Sequence, residues 1–137
     1  MVNLAVQIAG VHFPNPTVVA SGILGVTASS AGFAVAHGAG GVTLKSCGLE
    51  PRTGHRGPTI LPVPGGLLNA VGLSNPGAEA VGNEIRAFKE LQTVPIIASI
   101  FGRTEEEFSE VAAIVCEAQP DLLEINVSCP NVASEFG

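Results

Sequence analysis

The sequence predicts an α/β fold in which a short β-hairpin precedes alternating strands and helices. Short apolar runs alternate with segments of helical periodicity along the 137 residues. Most connections between them are short, which favours right-handed crossovers and a parallel sheet. This order fits either a doubly wound sheet or part of a (β/α)8 barrel. Because a complete barrel takes about 250 residues, the chain is long enough for about half of one.

The first half of the chain contains the predicted hairpin, two strands and one helix. Gly10 separates two β-type runs, and Gly38 ends the helical pattern. The Pro- and Gly-rich stretch from Cys47 to about Asn75 is predicted as a long loop. The predicted elements are a hairpin over residues 4–16, strands over residues 17–22 and 41–46, and a helix over residues 27–38.

The second half of the chain contains two helices and two strands. Thr104 and Glu107 have the spacing of a capping box, so the second of these helices is expected to begin there. The first helix has one apolar face, formed by Val81, Ile85, Phe88 and Leu91. The second has an apolar face formed by Phe108, Val111, Ala112, Val115 and Cys116. The predicted elements are a helix over residues 76–92 and strands over residues 94–100 and 122–128.

Composition excludes several classes of function. Hydrophobic residues make up 46% of the chain and charged residues 13%, so a packed core is expected. The net charge of −6 argues against binding to nucleic acids or anionic membranes. No apolar run reaches the roughly 20 residues that span a bilayer, and the N-terminus lacks the pattern of a signal peptide. The three cysteines show no C-x-x-C spacing, which predicts a cytoplasmic protein with neither a metal site nor disulfides.

Three of the predicted strands carry polar side chains on one face toward their carboxyl ends. The predicted polar faces are Thr17, Val19 and Ser21 in the first strand, Thr43 and Lys45 in the second, and Glu124, Asn126 and Ser128 in the fourth. The opposite faces are apolar, as is required under helices. In parallel α/β folds, ligands bind at the carboxyl ends of the strands. Ser21, Lys45 and Asn126 are therefore expected to converge on one site.

Lys45 is the most informative of these residues. A lysine at the end of an apolar strand is costly to bury unless it meets an anion, although its ammonium could also reach the rim of the sheet. Arg52 and Arg56 follow within the same twelve residues, and we expect both in a solvated loop. An anionic substrate or cofactor beside Lys45 fits this pattern.

Two further positions have a chemical and a structural interpretation. Asn69 lies in the glycine-rich stretch of residues 64–77, where its amide could bind a ring with amide-like edges or simply form a turn. Cys129 follows the fourth strand among polar residues, so it could be a reactive thiol or a small buried residue. Cys116 is predicted to be buried on its helix face.

Three stretches together resemble class 1 dihydroorotate dehydrogenase, a soluble flavoenzyme of pyrimidine synthesis. They are VTLKSCGLEPRTGHRGP, PGGLLNAVGLSNPG and LEINVSCPN, and the opening NPTVVASGILG is similar to the family's first barrel strand. The cysteine of SCPN is typical of class 1, whereas the membrane-associated class 2 enzymes have serine there. KSCGLEPR is more similar to the type 1B catalytic subunit than to type 1A. The resemblance implies that residues 1–137 form a partial domain, the N-terminal half of a (β/α)8 TIM barrel after a short hairpin.

The resemblance also implies a reaction and a set of site residues. FMN would accept a hydride from C6 of (S)-dihydroorotate at flavin N5, while Cys129 takes the C5 proton and orotate forms. Lys45 would lie between flavin and substrate and counter negative charge. The implied substrate-binding residues are Lys45, Asn69, Ala70, Val71, Gly72, Leu73, Asn126 and Asn131. The implied FMN-binding residues are Ser21, Lys45, Ser46, Ser99 and Asn126.

Other family features bear on partners and on activity. The resemblance implies a homodimer, and in type 1B a further subunit that transfers electrons through iron–sulfur and FAD groups. The 137 residues hold half of the barrel strands, so the chain alone is expected to bind FMN poorly. Two alternatives are a dihydropyrimidine dehydrogenase-like flavoenzyme and a non-catalytic half-barrel that binds another chain. A doubly wound nucleotide-binding domain lacks support, since no G-x-G-x-x-G follows the first strand.

Overall fold

A parallel sheet with helices packed on it forms the body of the structure, a computed structural model that describes residues 2–24 and 26–129. The elements in chain order are β1 (Val6–Ile8), β2 (Val11–Phe13), β3 (Val18–Val19), α1 (Ala28–Ala36), β4 (Gly41–Thr43), β5 (Ile60–Val63), β6 (Gly66–Asn69), α2 (Ala78–Leu91), β7 (Ile96–Ile100), α3 (Glu105–Cys116) and β8 (Leu122–Ile125). The sequence therefore predicts the α/β class and its element order correctly, apart from the pair β5 and β6.

The N-terminal hairpin is confirmed. Strands β1 and β2 pair antiparallel around Ala9 and Gly10, which both have positive φ. That conformation matches the twist of the flanking strands in a two-residue turn. Phe13 at the end of β2 is fully buried, and a β-carbon on Gly41 would lie 2.7 Å from its ring. The hairpin is thus anchored to β4 by one aromatic side chain, which requires glycine opposite it.

The sheet has the order β3-β4-β7-β8, and every neighbouring pair is parallel. The three helices pack on the same face, because α2 contacts both α1 and α3 and one apolar core joins them to the strands. A doubly wound sheet instead reverses its strand order and carries helices on both faces. The sequential order and one-sided packing are those of a barrel segment. The four described strands do not close into a barrel, so the half-barrel remains a prediction.

The helices follow their predicted faces, with two exceptions. Val81, Ile85 and Phe88 of α2 are fully buried, but Leu91 is 74% exposed at the last turn. Cys116 is likewise exposed, so its predicted burial is wrong. Both residues lie at the ends of their helices, where the chain turns away from the core.

The predicted capping box of α3 forms only in part. Thr104 accepts a hydrogen bond from Glu107 N at 3.2 Å, as predicted. The Glu107 carboxylate, however, accepts from Arg103 N at 2.9 Å and from Arg103 Nε at 3.2 Å. The helix start is therefore held by the residue before the cap as well as by the cap itself.

The face predicted for the first strand is wrong by one residue. Val19 pairs with Val42, and both pack toward the helices, whereas Val18 is 36% exposed. Regular pairing ends at Val19, so Ser21 is not placed by the alternation of the strand. Ser21 lies instead in the turn that follows β3.

The stretch predicted as a loop contains a second hairpin. Strands β5 and β6 pair antiparallel around Pro64 and Gly65, and all eight of their residues are exposed. The paired residues Ile60 and Asn69 lie on one face, and Leu61 and Leu68 lie on the other. The signal for this hairpin was two β-type runs around a Pro-Gly turn.

Candidate active site

A hydrogen-bonded network joins the carboxyl ends of the four parallel strands. Ser46 Oγ lies 3.2 Å from Ser21 Oγ and 2.8 Å from Ser99 Oγ. Asn126 Nδ2 donates to Ser46 Oγ at 3.1 Å, and Ser46 N donates to Ser21 Oγ at 3.2 Å. Ser46 and Ser99 are buried. Four of the residues predicted to bind FMN are therefore in direct contact, with Ser46 at the centre.

A bulge after β4 explains why neighbouring residues of one strand both reach the site. Thr43 pairs with Ile97, but Cys47 bridges to Ile100, so this side of the ladder has one extra residue. The backbone bonds agree: Leu44 N donates to Ile97 O, and Cys47 N donates to Ser99 O. A bulge rotates the residues after it to the opposite face. Cys47 thus enters the core, while Lys45 and Ser46 lie on the site side.

A cavity of about 360 Å³ adjoins this network. Lys45, Asn69 and Cys129 all line this cavity, although they lie far apart in the sequence. Ser21, Val71, Gly72 and Leu73 also line it, as do Gly22, Ile23, Ile60 and Leu67. The last four were not predicted, because three of them are ordinary apolar residues and one is a turn glycine. Ala70 lies outside the cavity lining, and its N–H donates to Thr59 O at 2.8 Å.

Lys45 is half-buried at one wall of the cavity. Burial lowers its pKa, and the negative charge available at Cys129 acts in the opposite direction. Within residues 2–24 and 26–129, no carboxylate forms a salt bridge with its ammonium. The stem of Lys45 passes Gly22, where an added β-carbon would lie 3.4 Å from Cδ. The geometry therefore presents a partly desolvated cation to the cavity.

Cys129 is half-buried and packs against Leu73 and Phe101. It also borders a second cavity of about 240 Å³, which contains Arg103 and Phe108 in its lining. Cys47 is buried, and this burial raises the pKa of its thiol to about 11. Cys129 is the thiol that combines partial access with a nearby cation, whereas Cys47 is enclosed in the core.

Asn75 and Arg52 hold the loop that forms another wall. Asn75 is buried, and its side chain donates to Leu73 O and accepts from the N–H groups of Gly48 and Gly77. Arg52 Nε donates to Gly72 O at 2.8 Å. Arg52 was expected in a solvated loop, and that expectation is wrong. Its nearness in sequence to Lys45 carried no information about this backbone contact.

The remaining predictions concern Asn131, metal binding and membrane insertion. Asn131 lies outside the described residues. In the described part of the chain, no group of three or more His, Cys, Asp or Glu side chains could hold a metal ion. None of the described helices is both long and apolar enough to cross a membrane.

The sheet and its edge define an α/β protein with a cluster of polar side chains at the carboxyl ends of parallel strands. A sequence model of the family described as dihydroorotate dehydrogenase matches residues 3–136. The chain belongs to the dihydroorotate dehydrogenase family.

Curated relatives carry the name of the same family. The chain is 44% identical over 134 residues to a protein of Methanothermobacter thermautotrophicus, covering 98% of this chain and 43% of the relative. It is 47% identical over 131 residues to one of Methanocaldococcus jannaschii, covering 93% and 42%. A Pyrococcus abyssi protein is 47% identical over 128 residues, with the same coverage. All three are named dihydroorotate dehydrogenase B (NAD(+)), catalytic subunit. The chain spans less than half the length of these relatives.

Proposed function

We propose that this chain forms the first half of a (β/α)8 barrel that oxidises (S)-dihydroorotate to orotate in pyrimidine synthesis. The observation that carries the proposal is the cavity in which Lys45, Asn69 and Cys129 meet beside the serine–asparagine network. Membership of the dihydroorotate dehydrogenase family supports the same reaction. A cation, a neutral amide and a thiol around one cavity suit an anionic ring from which a proton must be removed.

The residues of the network fit FMN. The edge of a flavin ring carries both hydrogen-bond donors and acceptors, and the hydroxyls of Ser21, Ser46 and Ser99 can serve as either. Asn126 adds an amide that already donates to Ser46. These groups are neutral, and Lys45 lies beside them to counter negative charge. Bound FMN would supply the acceptor for the hydride, which is chemistry that no side chain of the chain provides.

Cys129 would act as the base. Its sulfur, as the thiolate, would take the C5 proton, while the electron pair of the C6–H bond leaves with the hydride and the ring double bond forms. Asn69 and Asn126 would orient the ring without competing for the proton, and Val71, Gly72 and Leu73 would enclose it. Ala70 and Asn131 would complete the substrate-binding set.

The relatives' names support a partner subunit, since a catalytic subunit implies another subunit. We propose a cytoplasmic type 1B catalytic subunit that works as a homodimer with an electron-transfer subunit carrying iron–sulfur and FAD groups. Support for the type 1B assignment comes from relatives named dihydroorotate dehydrogenase B (NAD(+)), catalytic subunit.

The test is the reductive half-reaction of the protein expressed from its complete gene. Cys129→Ala should slow flavin reduction by dihydroorotate about 10²- to 10⁴-fold, because a positioned base contributes that range. Cys116→Ser is the matched control, since this thiol is exposed and far from the network, and it should leave the rate unchanged. A Cys129→Ala enzyme that reduces its flavin at the parental rate would refute the assignment. Uracil-type substrates tested in parallel separate dihydroorotate oxidation from dihydropyrimidine chemistry.

A further inference from the structure

We propose that Arg52 is a positioning residue that holds the Gly72–Leu73 peptide, and through it Leu73, against Cys129. This role rests on the proposed function, because it concerns the wall of the same substrate cavity. The contact joins a guanidinium N–H to a backbone carbonyl over 20 residues of sequence.

Residue Arg52 is itself rigidly placed. Its N–H donates to Asn75 O at 2.8 Å, and Asn75 N donates back to Arg52 O at 2.9 Å. The Asn75 side chain is buried and bonded to three backbone groups. Asn75 therefore holds the backbone of Arg52 independently of the contact between the Arg52 side chain and Gly72.

The peptide that Arg52 contacts has an uncommon conformation. Gly72 has φ of 73° and Leu73 has φ of 54°, so both flanking residues are left-handed. Leucine rarely adopts this region, because its β-carbon crowds the backbone. The Gly72 carbonyl lies between these two residues, so a partner outside the turn would restrict its orientation. The charged donor at 2.8 Å provides one.

Leu73 transmits this orientation to the thiol. It is 3% exposed and packs with Phe101 and Cys129. Leu73 and Cys129 line both the substrate cavity and the second cavity of about 240 Å³. The pair therefore borders both spaces. Rotation of the Gly72–Leu73 peptide would displace Leu73 from Cys129 and expose more of the thiol to solvent.

The test uses the protein expressed from its complete gene. It measures the rate at which iodoacetamide alkylates each cysteine, by peptide mapping with mass spectrometry. Cys47 is an internal reporter of global unfolding, because it has no exposed surface in the fold. R52Q should raise the Cys129 rate about tenfold relative to Cys47, because it removes the charge-assisted hydrogen bond to Gly72 O. R52K keeps a cationic donor and should fall between R52Q and the parent. R86Q, which removes an exposed arginine on α2, is the matched control.

The outcomes separate positioning from general destabilisation. An unchanged Cys129 rate in R52Q, or equal increases at Cys129 and Cys47, would overturn the proposal. A second arm adds FMN and orotate to the parent and to R52Q. Orotate should protect Cys129 in the parent, with about tenfold more required in R52Q. Failure to protect the parent counts against the proposed function alone, because the rates without orotate still test the role of Arg52.

Discussion

Replacing Ser46 by alanine tests whether the network at the strand ends is one cooperative unit. The change deletes a single hydroxyl that contacts Ser21, Ser99 and Asn126. Ser99 has no exposed surface, and its hydroxyl contacts Ser46 at 2.8 Å. Among the described residues, no buried side-chain nitrogen or oxygen lacks a hydrogen-bond partner. Ser46→Ala would therefore create an unsatisfied group where none exists.

The loss of unfolding free energy in Ser46→Ala depends on which of the remaining groups water can reach. A buried hydroxyl left without a partner costs about 1–3 kcal/mol. Ser21 and Asn126 are half-buried, so water can replace part of what they lose. We therefore expect Ser46→Ala to lower the free energy of unfolding by about 2 kcal/mol. The double substitution Ser46→Ala/Ser99→Ala should lower the free energy of unfolding by less than the sum of the two single substitutions, because it removes both partners of one hydrogen bond.

The assay is urea unfolding followed by far-ultraviolet circular dichroism, since the chain has neither Trp nor Tyr for fluorescence. Ser109→Ala is the matched control, because this exposed hydroxyl donates only to Glu105 O within its own helix. The control should stay within about 0.5 kcal/mol of the parent. If Ser46→Ala is as mild as Ser109→Ala, or if the two network substitutions are additive, the network is not a unit and the reasoning is refuted.

Three further predictions concern the core, the site lysine and the flavin. Ile85→Ala should cost about 2–4 kcal/mol of unfolding free energy, whereas Leu91→Ala on the same helix should cost under about 1, and equal losses in urea unfolding would contradict the packing described. Burial lowers the pKa of Lys45 below 10.5, so its charged form opposes folding at neutral pH, and this penalty fades as the pH rises toward that value. Lys45→Met should thus have a higher melting temperature than the parent at neutral pH, by a margin that narrows in alkaline buffer, and a widening margin in pH-dependent melting curves would show the sign to be wrong. A polypeptide of these 137 residues alone should lose FMN on gel filtration, because β3 and β8 are the outer strands of the sheet formed by the described residues, and co-eluting flavin absorbance would disprove this.

Much of the fold was predictable because each element had a local signal. The helix α2 has apolar residues at three- and four-residue spacing, and its core positions Val81, Ile85 and Phe88 are buried as expected. The polar face predicted for the fourth strand is correct for Glu124, which pairs with Ser99, and for Asn126, which continues on the same side. The opposite face is not covered as predicted, since Ile125 is 50% and Val127 81% exposed. These inferences need only the period of a helix or strand, which is fixed by backbone geometry.

The contacts that build the site depend on information that alternation does not contain. The extra residue between Thr43 and Cys47 shifts the ladder by one, and only pairing with β7 reveals it. Without the bulge, Ser46 would alternate with Lys45 and enter the core where Cys47 lies. Simple parity therefore predicted Lys45 at the site and gave no reason for Ser46 to join it. The resemblance to a known family supplied that residue, and the bulge supplies the physical reason.

The segment of residues 52–75 contains further contacts that local sequence patterns do not predict. Its hairpin had a local signal, but the bond from Arg52 to Gly72 links positions whose sequence neighbours indicate only a loop. Leu73 has an uncommon backbone conformation that no pattern of apolar residues predicts. Such a conformation persists only where the surroundings hold it, which here are Arg52, the buried Asn75 and the packing on Phe101. Cys129 is therefore a local feature of the sequence, whereas the wall that encloses it is a product of tertiary structure.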